Sequence, residues 1–267
     1  MLGYEEIKGQ LSTKWAARNL VYKDVTGSTN DDAKVLGEEG APHGTLVVAD
    51  VQNKGRGTRG RSWENPKGTN IAMSLLIRPD APSDKISMLT LVMGLSVAEG
   101  IDNAVGENVT SIKWPNDVVI NGKKICGILT ELHMNSDNTI GDVVIGVGIN
   151  VKLMDIPESI ENIAGSILSE TGKAIDRSFV VASCMKAFEE NYEKYNETFD
   201  LALLKEQYEK KLINKGKDVR ILDPKGEYEA VAEGITPNGA LIVRTKDDTI
   251  KEVNAGEVSV RGLYTYA

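Results

Sequence analysis

The chain has 267 residues, of which 41% are hydrophobic and 26% charged, with a formal net charge of −8. That length holds one large domain and a small one, and the apolar fraction is too high for a disordered chain. The acidic balance argues against a general nucleic-acid binder, no apolar run approaches the roughly 20 residues of a membrane span, and Met1 to Gln10 lacks a signal-peptide core, so a cytoplasmic protein without membrane attachment is expected.

Residues 1–20 hold at most one short helix, which Trp15, Ala16 and Leu20 would pack onto the body of the chain. A helix-turn-helix module has no room there, so specific DNA binding is not expected. Ser28 with Asp31 fits a capping box and Gly40 a C-cap, which predicts a helix of one to two turns. A helix N-terminus carrying Ser28, Thr29 and Asn30 can also hydrogen-bond a carbonyl or ureido group. Residues 44–51 read as a strand, and residues 55–61 (GRGTRGR) then pack arginine and glycine into one short loop. Glycines let backbone N–H groups approach a ligand, and guanidinium forks match phosphate oxygens, so this loop suits a polyanion; a solvated turn is the plain alternative. It is not a P-loop, because no Gly-Lys-Ser/Thr comes after it.

Residues 69–77 read as a strand, and residues 84–105 as a helix with Ser83 as N-cap. Further strands are expected at 109–113, 125–133 and 143–151. Between the first two lies KWPND (113–117), where Pro115 forces a turn at which a lysine, an amide and a carboxylate meet. Such a rim can neutralise a transferring phosphoryl group through Lys113, and Asp117 can hold Mg²⁺ directly or through water. In residues 146–150 (GVGIN), two glycines mark close packing or a bulge, and they also permit a flat ring to lie on the backbone beside Asn150. Helices are expected at 178–195 and 201–212. From about residue 216 short strands at 219–222, 228–235, 240–244, 250–253 and 258–261 alternate with turns such as Pro237-Asn238-Gly239, which predicts a small β-barrel. Cys126 and Cys184 lie in apolar-periodic stretches and read as core residues, while His43 and His133 have nothing at metal or triad spacing.

In order, GSTN (27–30), Gln52, the 55–61 loop with Trp63, KWPND (113–117), KKICGIL (123–129), GVGIN (146–150) and the ending GEVSVR (256–261) closely resemble the biotin–protein ligases. The resemblance runs from about Val21 to the end. It implies an α+β fold: a mixed β-sheet flanked by helices, of the class II aminoacyl-tRNA synthetase-like kind, over residues 1–215, and an SH3-like β-barrel over 216–267. The implied activity joins biotin and ATP into biotinyl-5′-AMP, then passes biotin to a lysine of a biotin carboxyl carrier protein. The resemblance places Ser28, Thr29, Asn30, Gln52, Gly127 and Leu129 around biotin, with Arg56, Gly57 and Thr58 in the loop over it and Lys113 on its carboxylate. Arg59, Arg61, Trp63, Asn116, Lys124, Asn150 and Arg261 fall on the nucleotide side. Lys113, Arg56 and Asp117 are the candidate catalytic residues, Asp117 as Mg²⁺ ligand or as acceptor of the carrier lysine's proton. Thr58 departs from the family, which commonly has arginine there, and so marks the hold on the adenylate. Sheet edges in such folds take a carrier or a second copy, which makes a homodimer one option. Rival readings are a lipoate–protein ligase-like acyltransferase and a biotin-responsive transcriptional regulator.

Overall fold

Apolar runs without polar alternation, as in residues 46–49 and 71–77, form strands covered on both faces. The computed structural model describes residues 2–135, 139–153, 158–224, 226–255, 259–262 and 266–267. Helix α1 (Tyr4–Lys8) leads into β1 (Leu20–Thr26), α2 (Thr29–Glu38), β2 (Thr45–Gln52) and β3 (Asn70–Ile77). Then come α3 (Leu89–Val105), β4 (Ser111–Lys113), β5 (Asp117–Ile120), β6 (Lys123–Met134) and β7 (Ile140–Asn150). The seven strands make one sheet in the order β1-β2-β3-β7-β6-β5-β4, with β1 parallel to β2 and the other pairs antiparallel. Two of these strands go beyond the expected set. β1 is a half-exposed edge strand with Lys23 and Asp24 in its middle, and β5 has only four residues, so neither carries a strong periodic signal.

One face of the sheet turns Leu46, Val48, Met73, Leu75, Ile145 and Ile149 into the main core against α3 and α5 (Arg177–Thr198). The other face is covered by α2, which packs Ala33 on Val47, Leu76 and Val144. Contrary to the expectation from the sequence, the segment Ser83–Val105 has the length and hydropathy of a membrane span; it is mostly buried in this core. Its first part is a 3-10 turn (Ser83–Met88) entered from Pro82, with Lys85 N–H bonded to the Pro82 carbonyl; Ser83 caps nothing. α5 begins at Asp176, whose side chain accepts from Ser178 N–H. After α4 (Ile167–Thr171), α5 and α6 (Lys205–Lys211), the strands β8 (Asp218–Leu222), β9 (Tyr228–Ile235), β10 (Leu241–Thr245), β11 (Ile250–Val253) and β12 (Ser259–Gly262) form an antiparallel sheet in the order β11-β10-β9-β8-β12, consistent with an SH3-like fold. Residues 256–258, the start of the last expected strand, lie outside the described residues.

The small sheet is fastened beside the KWPND turn. Trp114 is 1% exposed and donates its Nε1–H to the Gly239 carbonyl at 3.0 Å, and Ile213 N–H bonds to the Ile112 carbonyl at 2.9 Å. Glu209 adds a polar staple. Burial raises its pKa, but hydrogen bonds from Lys205, Lys215 and Ile235 N–H outweigh that and hold it down at about 2.

α3 and α5 cross so closely that a Cβ on Gly100 would stand 2.6 Å from the Cys184 backbone nitrogen, whereas one on Gly94 would meet Ile128 Cδ1 at an ordinary 3.7 Å. Gly100→Ala is therefore expected to lower stability by about 1–3 kcal/mol through overpacking, while Gly94→Ala leaves it equal or raises it by up to about 1 kcal/mol through helix propensity. Denaturant midpoints of the two variants check this; equal midpoints would refute the close crossing.

Candidate active site

The sheet register lines up the site. Lys113 opposes Asp117, Asp117 opposes Gly127, Gly127 opposes Gly148, and Gly148 opposes Ala72. Opposed residues of antiparallel strands share a face, so a charged pair at the β4–β5 turn continues into a row of small residues. The neighbouring row holds Leu129, Gly146 and Ser74. These rows lie on the α2 face of the sheet, and they floor a narrow slot of about 40 Å³ walled by Ser28, Thr29, Asn30, Gln52 and Trp63. The ring that lies on the bare backbone is the chain's own indole: a Cβ on Gly148 would come within 2.3 Å of Trp63. Among the described residues Trp63 Nε1 is buried without a hydrogen-bond partner, and Lys124 Nζ stands 5.7 Å from the ring centroid.

The N-terminus of α2 is built as a polar wall, and the expected capping box is absent. Ser28 makes no side-chain cap bond, and the helix has 10 residues where one to two turns were expected. Asp31 turns outward, where the Arg56 fork outcompetes a single backbone N–H: its two nitrogens reach the Asp31 oxygens at 2.7 and 2.8 Å. Arg56 also lies 3.4 Å from Glu131, whose other contact is Asn30 Nδ2 at 2.6 Å. Thr29 N–H donates to Gln52 Oε1 at 2.9 Å, and Ser74 Oγ stands 2.6 Å from Asn30 Oδ1 and 2.7 Å from Thr29 Oγ1. Thus Asn30 and Gln52 are oriented before any ligand contact, and the 55–61 loop is tied to them through Arg56. The loop adds its own bonds, Gly57 N–H to the Arg61 carbonyl at 2.7 Å and Trp63 N–H to the Gly55 carbonyl at 2.9 Å.

Beside the slot opens a cavity of about 510 Å³ between the large sheet and the small one, lined by Arg61, Lys113, Asp117, Arg261 and Tyr266 among others. Thr58, Asn116, Ile128 and Leu129 line both spaces, so they form the wall where the two meet. Lys113 is 6% exposed, and its pKa is pushed down to about 8. Burial is the main cause; Asp117 pulls the other way, and Lys124, Arg261 and Arg61 add to the lowering. Asp117 is equally buried. Its Oδ1 lies 2.5 Å from Lys124 Nζ, an ion pair without hydrogen-bond alignment, its Oδ2 accepts from the Tyr266 hydroxyl, and Lys113 Nζ stands 3.8 Å from Oδ2.

Most of the expected residues come together here, with three corrections. Asp117 has both oxygens engaged and buried, which does not fit a direct Mg²⁺ ligand or an open proton acceptor; among the described residues no group of three or more His, Cys, Asp or Glu surrounds a metal position. Asn150 lies one row past Gly148, where it donates to the Gly165 carbonyl at 3.0 Å and accepts from Asn70 at 3.2 Å; it lines neither space. Arg56 lines the slot but is committed to carboxylates, and it does not line the cavity that holds Lys113. Arg61 bonds the Thr58 carbonyl and hydroxyl at 3.3 and 3.4 Å, and Asn116 pins itself to Ile128 through two 3.0 Å bonds. The Arg59 side chain lies outside the described residues. Asp31, Ser74, Glu131 and Tyr266 were missed. Ser74, a hydroxyl within an apolar strand, carried a signal; Tyr266 carried none.

Comparison with known proteins agrees with this geometry. Residues 22–150 match the Biotin/lipoate A/B protein ligase family, and residues 216–261 match the Biotin protein ligase C terminal domain. The chain is 38% identical over 261 residues to the bifunctional ligase/repressor BirA of Bacillus subtilis, an alignment covering 97% of the chain and 79% of that protein. It is 32% identical over 239 residues to the biotin–[acetyl-CoA-carboxylase] ligase of Mycobacterium tuberculosis, covering 87% and 85%. Among solved structures, the biotin protein ligase from Aquifex aeolicus in complex with biotin and ATP superposes with a TM-score of 0.80 at 34% identity, covering 92% of this chain and 99% of that one. The chain belongs to the biotin protein ligase family.

Proposed function

We propose that the slot takes biotin and the adjoining cavity takes ATP, so that the wall shared by Thr58, Asn116, Ile128 and Leu129 is where the biotin carboxylate meets the α-phosphate. The chain is an ATP-dependent biotin–protein ligase. The shared wall carries this assignment of the two spaces, because the reaction needs both substrates in contact while each keeps its own recognition surface. The carboxylate oxygen bonds to the α-phosphorus as the bond to the bridging oxygen breaks, giving biotinyl-5′-AMP and pyrophosphate. A carrier lysine, as the neutral amine, then attacks the acyl carbon, the acyl–phosphate bond breaks, AMP leaves as the anion, and the amine's proton goes to solvent. The amide forms on a biotin carboxyl carrier domain.

Bringing a carboxylate to a phosphate places two anions together, and Lys113 supplies the buried cation that offsets their repulsion. Arg61 and Arg261 line the same cavity, and Lys124 reaches its edge from the slot. Gln52, Asn30 and Thr29 present fixed amide and hydroxyl groups to the ureido ring, and the small residues Gly146, Gly148 and Gly127 let that ring lie against backbone once the Trp63 indole yields. No nucleophilic side chain is required, since the substrate carboxylate is itself the nucleophile. Mg²⁺ does not fit the engaged Asp117; we assign it to the phosphates of the incoming nucleotide.

In the presence of ATP, biotin is expected to raise the melting temperature and lipoate is not; the reverse order would move the chain to the lipoate side of the superfamily. Lys113→Ala is expected to keep measurable biotin binding while biotin-dependent pyrophosphate release falls roughly 10²–10³-fold; release at the wild-type rate would remove Lys113 from the chemistry. Lys113 is protonated below about 8 and neutral above it. For the free enzyme, kcat/KM for ATP should therefore fall as pH rises through that value, and a profile flat to about pH 10 would contradict the role. Thr58→Arg, which adds a cation at the shared wall, is expected to slow escape of biotinyl-5′-AMP; trapping free adenylate at equal rates from both forms would refute it.

A further inference from the structure

Among the described residues, Lys113 Nζ makes no hydrogen bond. A buried ammonium beside a buried carboxylate ordinarily closes to a charge-assisted bond of about 2.7–2.9 Å, yet Lys113 and Asp117 stay 3.8 Å apart. Tyr266 touches both. Its hydroxyl donates to Asp117 Oδ2, and its ring centroid lies 3.9 Å from Lys113 Nζ. Lys124 takes the other oxygen of Asp117. Burial and the neighbouring carboxylate both push the Tyr266 phenol up, so it remains a neutral donor.

We propose that Tyr266 is a positioning residue for adenylate formation: its hydroxyl draws the Asp117 carboxylate away from Lys113 while its ring supports the ammonium, leaving the Lys113 N–H donors for substrate oxygens. This rests on the reading of Lys113 as the adenylating lysine. A ring face attracts a cation without using any of its N–H groups, which a carboxylate would not do. The same tyrosine thus keeps Lys113 charged in a site crowded by Lys124, Arg61 and Arg261, and keeps it uncommitted. The ring also walls the larger cavity on the side of the small sheet, which links the order of that region to the charge arrangement in the large one.

Tyr266→Phe keeps the ring and removes the donor. Asp117 Oδ2 is then expected to turn to Lys113, a contact the substrates must break as charge develops. In biotin-dependent ATP–pyrophosphate exchange, kcat should fall roughly five- to tenfold, with KM for ATP changing less than about twofold. In an Asp117→Asn background no competing carboxylate remains, so adding Tyr266→Phe should cost nothing further. Losses that simply add in the double variant, or a Tyr266→Phe enzyme with wild-type kcat, would overturn the proposal. So would a fall in KM for ATP with kcat preserved, which would make Tyr266 a plug in the nucleotide space. Exchange at the wild-type rate in Lys113→Ala would remove the reading beneath the proposal, whereas loss in Lys113→Ala with an unaffected Tyr266→Phe would sink the proposal alone.

Discussion

Several cations gather around one buried carboxylate, and the site depends on how the sheet holds them there. Lys113, Arg61 and Arg261 line one cavity with Asp117, and Lys124 reaches the same carboxylate from the slot beside it. Such a cluster repels itself in a low dielectric and would open if its side chains hung from loops. Here Lys113 and Asp117 are locked opposite each other across the β4–β5 pair, and Asp117 is locked opposite Gly127 on β6, two residues from the Lys124–Ile125 stretch of the same strand. Three strands hold this charge arrangement rigid, as the proposed meeting of two anionic substrates there requires. The pKa of Lys113 is depressed chiefly by burial, and the neighbouring cations Lys124, Arg261 and Arg61 add to the lowering.

The rest of the site hangs from that line. Because strand partners share a face, the charged pair runs directly into Gly127, Gly148 and Ala72, and small side chains there expose backbone beside the cations. The α2 N-terminus closes the far end of the slot with Thr29 and Asn30, held by Ser74 and Gln52. Arg56 joins this wall to the loop through Asp31 and Glu131. These ion pairs are half-exposed, so each is worth little for stability. Their effect is geometric: Asn30 of the slot wall and Arg56 of the 55–61 loop share one carboxylate, Glu131.

Much of this was legible in the sequence because it rests on local chemistry. Pro115 turns the chain, so KWPND reads as a site rim; two glycines in an apolar strand read as close packing, a bulge or room for a flat ring, and the Trp63 indole lies on Gly148. The resemblance of ordered motifs then supplied the substrates. The hidden features depend on tertiary geometry. Asp31 reads as a capping residue until Arg56 arrives from a loop 25 positions away to claim it. Asn150 reads as a ligand residue, but the register places it one row too far, under residues 164–165. Asp117 reads as an open carboxylate until Lys124 and Tyr266 occupy both its oxygens, and no spacing in the sequence connects positions 117 and 266. Ser83 reads as a helix cap, but entry from Pro82 winds the first turn too tightly for it.

With biotin in the slot and ATP in the cation-lined cavity, as proposed, the acyl group passes to a carrier lysine. ATP-dependent transfer of labelled biotin to purified carrier domains tests this most directly. Covalent label is expected on a single lysine of a biotin carboxyl carrier domain, dependent on ATP and absent from lipoyl domains. No label on any biotin carrier domain, or equal labelling without ATP, would contradict it.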